Sequence, residues 1–255
     1  MTTVVYLGNR IIADTRATIQ QEGFVTSTGE SQLYNDGTVK FRTFDPGYMW
    51  DDKRDIRLIG GAGTLLGLRK FVAFMKQLRC PMEQFLLTLG DRETGLLARI
   101  VGLERHSSYI LCLNTGESIK LTVGQKSHTY KGPDNKVKAI GSGAFYFDAL
   151  QDVFQMDPEL VFRLAINTDK HSSKDVFIEG VYDAEKQNWT MDPEPYKYSN
   201  PVDPEVLINS FNPNIKAIFK GVLDVLVTAP SETPSDDPEV EENVPVKIPP
   251  TKKGK

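Results

Sequence analysis

Histidine is nearly absent from this chain, with three residues in 255: His106, His128 and His171. None stands in a recognisable serine–histidine–acid context, and the Gly-x-Ser-x-Gly elbow of α/β-hydrolases is missing, which argues against a conventional serine hydrolase. All three read as surface or loop residues. Cysteine is equally scarce. Cys80 and Cys112 cannot build a disulfide framework and have no metal-ligand spacing around them. They read as reduced core thiols, with no metal and no cofactor expected. No apolar run approaches the ~18 residues that suggest a membrane span. No basic segment followed by an apolar stretch opens the chain, so no secretory signal is expected. Basic charge is not in excess: 30 Lys+Arg face 34 Asp+Glu, for a formal net charge of −4. Nucleic acid is therefore not an expected partner. With 40% hydrophobic residues, these absences leave one soluble domain with a real core, expected in the cytoplasm.

What the chain does have is concentrated at its start. Val4–Leu7 and Ile11–Ala13 flank Gly8-Asn9-Arg10, which predicts a β-hairpin. Thr2 sits at the tip of its first strand. With Met1 removed, Thr2 carries a free α-amine and a hydroxyl on adjacent carbons. An α-amine titrates near ~7.7–8, so a substantial fraction is neutral at physiological pH. A neutral amine can take the proton of its own hydroxyl, directly or through one water, which makes an activated nucleophile. The ordinary reading of a Met-Thr start is a disordered terminus, but this one feeds straight into a strand.

Along the rest of the chain, residues 20–38 read as an irregular loop or a poorly regular strand pair, and residues 38–44 as a strand. Residues 45–55, mostly polar with Pro46 and Gly47, read as a turn or surface insertion. A strand from Ile56 runs into Gly60-Gly61-Ala62-Gly63. From Thr64 the period changes, and Leu65, Leu66, Leu68, Phe71, Val72, Phe74, Met75 and Leu78 fit one broad helical face. Pro81 ends it, and a shorter helix follows over 82–89. Residues 96–103, 108–113 and 118–123 read as strands, 124–136 as a polar stretch, and 137–140 as a strand ending in Gly141-Ser142-Gly143. Residues 144–154 read as helical. Asp157-Pro158-Glu159 opens another helix, with Asp157 as N-cap. A strand over 175–182 pairs with one around Trp189. This order predicts an α+β fold. Residues 1–190 form the expected domain. Residues 191–228 form an extension with helix-like apolar clusters, and residues 229–255 a Pro-rich charged tail expected to be disordered.

Several polar residues carry two readings. Asp14 ends an apolar strand, where a carboxylate is ordinarily a surface or turn residue. Lys40 stands between Val39 and Phe41, and most such lysines are solvated. Glycines at 60–63 permit a tight strand-to-helix turn, or a backbone N–H aimed at an oxyanion. No Gly-Lys-Ser/Thr follows them, which excludes a phosphate loop. Ser142, Asp169 and Ser172 are of the type that caps helices and turns.

Taken in order, Thr2-Thr3-Val4, Ile12-Ala13-Asp14-Thr15-Arg16-Ala17-Thr18, Lys40, Gly60–Gly63, Gly141-Ser142-Gly143 and Asp169-Lys170-His171-Ser172 resemble the catalytic proteasome β subunits and HslV-type peptidases, which are Ntn hydrolases. The resemblance spans about residues 2–180. It implies a four-layer αββα sandwich and a threonine endopeptidase with Thr2 as nucleophile. It implies that Asp14 holds a buried Lys40, that Gly61, or Gly60 one slip away, is the oxyanion donor, that Ser142 contacts the terminal amine, and that Asp169 and Ser172 complete the site. It further implies a homo-oligomeric ring, peptide or unfolded protein as substrate, and an unfolding ATPase as a conceivable partner. The chain departs from the family pattern: the hairpin is shorter, the Asp14–Lys40 segment longer, the second helix truncated, and Thr64 replaces an aspartate. It therefore looks like a divergent member. A catalytically silent structural subunit and an amidase acting on small amides are the rival expectations.

Overall fold

The computed structural model describes residues 3–20, 32–35, 38–89, 95–154, 157–169, 172–174, 176–192 and 194–199. The chain divides into two compact units, 1–210 and 211–255, and everything below concerns the first. The sheets are antiparallel and the class is mixed α+β.

The hairpin forms where expected, as β1 (Thr3–Tyr6) and β2 (Arg10–Asp14), with Val4 opposite Ala13. A short pair follows, β3 (Ala17–Gln20) with β4 (Gln32–Asn35). Then come β5 (Phe41–Thr43), β6 (Ile56–Ala62), and helices α1 (Leu65–Gln77), α2 (Met82–Thr88) and α3 (Leu96–Val101). Strands β7 (Ser107–Leu113), β8 (Ser118–Val123), β9 (His128–Asp134) and β10 (Lys138–Gly141) precede helices α4 (Ala144–Phe154) and α5 (Pro158–Thr168). The described chain ends with β11 (Val176–Asp183), β12 (Asn188–Met191) and β13 (Tyr196–Lys197). One sheet runs β10-β1-β2-β11-β12, with β13 also on β11, and another runs β5-β6-β7-β8-β9.

These two sheets meet through a shared apolar core. Val4, Tyr6, Ile11, Ala13 and Ile140 come from the first, and Phe41, Leu58, Ile110 and Cys112 from the second. Alternate residues of β7, Tyr109 and Leu111, turn the other way. They join Leu68, Phe71 and Met75 of α1, Met82 of α2 and Leu97 of α3 in a second core. A strand buried on both faces needs apolar residues at every position, which is why β7 reads as an unbroken Tyr-Ile-Leu-Cys-Leu run. Each fully buried Leu, Ile or Phe contributes about 1.5–3 kcal/mol. On the first sheet, α4 lies against β10 and β1, and α5 against β1.

The expected cap at Asp157 forms: its side chain accepts from Leu160 N, with Pro158 at the first helical position. The Thr64 side chain caps α1 by accepting from Gly67 N. Four expectations need correction. Residues 96–101 are a helix, not a strand. Leu97, Ala98 and Val101 are its buried residues, at helical spacing, and left-handed Gly95 and Gly102 bracket it. Residues 128–134, read as a polar stretch, are strand β9, and His128 is buried rather than a surface residue. The segment 45–55 is not wholly superficial, because Trp50 is fully buried and packs edge-on to Tyr130. Leu65 and Leu66 are exposed instead of lying on the buried face of α1. Of the thiols, Cys112 is buried in the inter-sheet core, where burial pushes it up and keeps it protonated, whereas Cys80 is only partly buried. His106 is exposed. His171 and the segments 191–228 and 229–255, apart from residues up to 199, lie outside the described residues.

Away from the β1 N-terminus, Lys138 is buried and donates to Asp134 Oδ1 (2.5 Å) and Ser118 Oγ (3.0 Å). Burial alone would push the Asp134 carboxyl up. The hydrogen bond and charge of Lys138 outweigh that and hold it below its ordinary value. A carboxyl depressed in the folded state stabilises above its unfolded value of about 3.9 and loses that contribution as pH falls through the folded value. Lys138→Met is therefore expected to flatten the acid limb of stability below about pH 4, read from thermal melts at stepped pH. An unchanged acid limb would show that the pair does not couple to folding.

Candidate active site

The predicted polar residues converge where β1 begins and β2 ends. Asp14 is fully buried at the end of β2. Its Oδ1 accepts from the Thr3 backbone N–H (2.7 Å) and from Lys40 Nζ (2.8 Å). Its Oδ2 accepts from the backbone N–H of Arg16 (3.2 Å) and of Ser173 (3.1 Å). One carboxylate thus gathers three backbone donors and an ammonium. A buried charge persists only when it is compensated in this way. Lys40 is itself 3% exposed and immediately precedes β5. Its carbonyl accepts the Gly61 N–H at 3.1 Å, which fixes the lysine backbone against β6.

A second carboxylate organises the hydroxyls. Asp169, buried at the C-cap of α5, accepts at Oδ2 from Ser142 Oγ (2.5 Å) and Ser172 Oγ (2.9 Å). Ser172 Oγ also lies 2.8 Å from Thr3 Oγ1. Because the Ser172 proton goes to Asp169, the Thr3 hydroxyl donates to Ser172. The relay therefore runs Thr3, Ser172, Asp169, with Ser142 entering from the other side. Ser142 is held by the turn after β10, where Gly141 has φ +96°. Tyr146, in the first turn of α4, belongs to the same neighbourhood: burial, then the Asp169 charge, push its hydroxyl up and keep it a neutral phenol.

The structure thus brings Asp14 to Lys40, and Ser142 and Ser172 to Asp169. Thr3 bridges the two groups, its N–H on Asp14 and its hydroxyl on Ser172. Thr2 lies outside the described residues. Gly61 lies in β6, within the β5–β9 sheet. Its N–H, expected to face an oxyanion, is donated to the Lys40 carbonyl and so is already engaged in the sheet. Three residues escaped the sequence reading. Thr3 is one. Ser173 is another, with its N–H on Asp14 and its hydroxyl accepting from Thr15 N (2.9 Å) and donating to the Val176 carbonyl (2.7 Å). Thr15, fully buried, is the third. The available signal was the Ser172-Ser173 pair: the Ser172 hydroxyl donates to Asp169, and the Ser173 backbone N–H donates to Asp14. Among the described residues, no three His, Cys, Asp or Glu side chains gather in a metal-holding group, and no helix is long and apolar enough to cross a membrane.

No family model matches the chain, and no curated protein sequence matches it. Among solved structures it is similar to an Anbu (Gly-1) mutant from Hyphomicrobium sp. strain MC1. That match has 12% identity and a TM-score of 0.49, covering 91% of this chain and 99% of that one. It is also similar to eukaryotic HslV from Trypanosoma brucei, with 18% identity and a TM-score of 0.37, covering 77% of this chain and 100% of that one. A third similar structure is Thiobacillus denitrificans BPH in complex with epoxomicin, with 13% identity and a TM-score of 0.40, covering 72% of this chain and 98% of that one.

Proposed function

We propose that this chain is a threonine-type endopeptidase of the Ntn-hydrolase kind, with Thr2 as nucleophile after removal of Met1. The observation that carries the reading is the buried Lys40–Asp14 pair, anchored to the backbone N–H of Thr3, the residue next to Thr2. Within β1, Thr3 turns its side chain to Ser172, while Val4 and Tyr6 enter the core between the sheets. The layers are read as an αββα sandwich, with substrate entering between the sheets.

In this reading the Thr2 α-amine takes the hydroxyl proton as the oxygen attacks a peptide carbonyl. The Lys40 ammonium stabilises negative charge developing on that oxygen and, by like-charge repulsion, keeps the amine neutral. The tetrahedral adduct collapses as the amine passes the proton to the departing nitrogen, leaving an ester on Thr2. Water activated by the same amine then hydrolyses the ester. Asp14 holds Lys40, and the Ser142–Asp169–Ser172 relay fixes the start of β1. Peptides or unfolded segments are the substrates, the site works within a homo-oligomeric ring in the cytoplasm, and an unfolding ATPase is a fitting partner.

One observation favours a second reading, a catalytically silent subunit of the same architecture. An oxyanion on Gly61 would have to compete with the Lys40 carbonyl for the N–H. Intact mass before and after incubation with a peptide epoxyketone separates the two, because that warhead needs both a free α-amine and the neighbouring hydroxyl. The expected result is loss of Met1 and a single adduct that vanishes in Thr2→Ala. Retained Met1 with no adduct would overturn the peptidase reading in favour of the silent one.

A further inference from the structure

Ser142 and Ser172 give their hydroxyl protons to Asp169. The hydroxyl of Ser173, a residue 1% exposed, serves no carboxylate and turns to the backbone around Asp14 instead. It accepts from the N–H of Thr15, the residue after Asp14, at 2.9 Å, and from the Thr15 hydroxyl at 3.2 Å. It donates to the Val176 carbonyl at 2.7 Å. Val176 precedes Phe177, which stands opposite Asp14 in the β2–β11 register. A hydroxyl has one donor and two acceptor sites, and all three are occupied. The Ser173 N–H meanwhile reaches the Asp14 carboxylate at 3.1 Å. One residue thus grips Asp14 by its carboxylate, by the peptide that follows it and by the strand across from it.

Thr15 extends this grip to the lysine. It lies one residue beyond the paired part of β2, so the ladder does not supply a partner for its N–H. Thr15 is fully buried, and a buried N–H without an acceptor is costly. Ser173 supplies that acceptor. The Thr15 carbonyl accepts from the N–H of Thr38 at 2.9 Å, two residues before Lys40. The 2.8 Å contact between Lys40 and Asp14 is therefore anchored from both sides at the same peptide.

We propose that Ser173 is a positioning residue for the Asp14–Lys40 pair, and that its hydroxyl, through the Thr15 peptide, sets where the Lys40 ammonium sits relative to the start of β1. The inference rests on the peptidase reading for what Lys40 does there, namely to keep the Thr2 amine neutral. The other groups that meet at the start of β1 are Asp14, Asp169 and the neutral phenol of Tyr146. Both carboxylates favour a charged amine, and Lys40 opposes it. An ammonium that drifts away repels the amine less, so the amine takes up its proton at higher pH. Chemistry that needs the neutral amine then switches on later as pH rises.

The test reads the rate of adduct formation with a peptide epoxyketone against pH, by intact mass of the full chain. Ser173→Ala removes the oxygen and adds no bulk. Its limiting rate is expected to fall, by up to about 100-fold, as for a misplaced catalytic group, and its acid limb to move to higher pH. Ser173→Thr keeps the oxygen and is expected to keep the wild-type acid limb, whatever its melting temperature. A merely structural serine would lower the melting temperature of Ser173→Ala and leave the acid limb in place, and that result overturns the inference. Amide hydrogen exchange on the wild type needs no variant. The Thr3, Thr15 and Ser173 amides are expected to open together as one unit, and a Thr15 amide that exchanges ahead of the other two also overturns it. A wild type that forms no adduct sinks the peptidase reading instead, and exchange then decides the grip on Asp14 by itself.

Discussion

Lys40→Met is expected to abolish peptide hydrolysis while leaving a folded protein, and Asp14→Ala is expected to cost more stability than Lys40→Met. The ordering follows from what each variant strands. Without Lys40, the Asp14 carboxylate keeps the N–H groups of Thr3, Arg16 and Ser173. Without Asp14, a lysine only 3% exposed loses the carboxylate that holds it at 2.8 Å, and three backbone donors lose their acceptor. Breaking a buried pair from one side costs about 3–5 kcal/mol, so Lys40→Met belongs at the lower end and Asp14→Ala at the upper. Urea midpoints at constant m read the difference directly. Activity should separate from stability. A charge that stabilises the developing oxyanion is worth about 10²–10³-fold in turnover, and loss of amine tuning adds to it. Lys40→Arg keeps a charge but brings a planar fork into a site shaped for a compact ammonium, so it should not restore turnover. The double variant Asp14→Leu with Lys40→Met should recover part of the stability and none of the activity. A Lys40→Met protein that hydrolyses peptides at the wild-type rate would sink the proposed role of the lysine.

That pair was legible in the sequence only through resemblance. Spacing alone leaves Asp14 as a turn carboxylate and Lys40 as a solvated strand lysine. What brings them together is the register of the β1–β2 hairpin, which sets Thr3 beside Asp14, and a contact that crosses from one sheet to the other. Local patterns fared better. The N-cap at Asp157 and the Gly8-Asn9 turn depend on chemistry within a few residues. α3 was misread because Leu96-Leu97-Ala98-Arg99-Ile100-Val101 is too short for periodicity to decide. Its glycine brackets at Gly95 and Gly102, both left-handed, were the better signal. β9 was missed because it is an edge strand with polar residues at most positions, and its buried His128 looks like any loop histidine. Thr3 carries no local signal, because its partners Asp14 and Ser172 lie 11 and 169 residues away in the chain.

Gly143→Ala tests that positioning role most severely. A Cβ at Gly143 would stand 2.0 Å from Thr3 Oγ1 and 3.0 Å from both Thr3 Cβ and Cγ2. Thr3 cannot retreat, because it is fully buried, with its N–H on Asp14 and its hydroxyl on Ser172. Overpacking of this kind costs about 1–3 kcal/mol, and with both neighbours fixed the upper value applies. For a domain of this size that corresponds to a fall in Tm of about 6–12 °C. Gly61→Ala provides the contrast. Its Cβ would meet Leu68 Cδ1 at 2.8 Å, the far end of a flexible side chain that can rotate away, so its cost should be smaller. Thr3→Ala in the Gly143→Ala background removes Oγ1 and Cγ2 and leaves only the 3.0 Å contact to Cβ. It should recover part of the lost melting temperature. It should recover no activity, since the link from Thr3 to Ser172 and Asp169 is gone with the hydroxyl. Recovery of stability without turnover would mean that the relay aims the start of β1 at Lys40. Recovery of both would mean that Thr3 fills space and the nucleophile is held by something else.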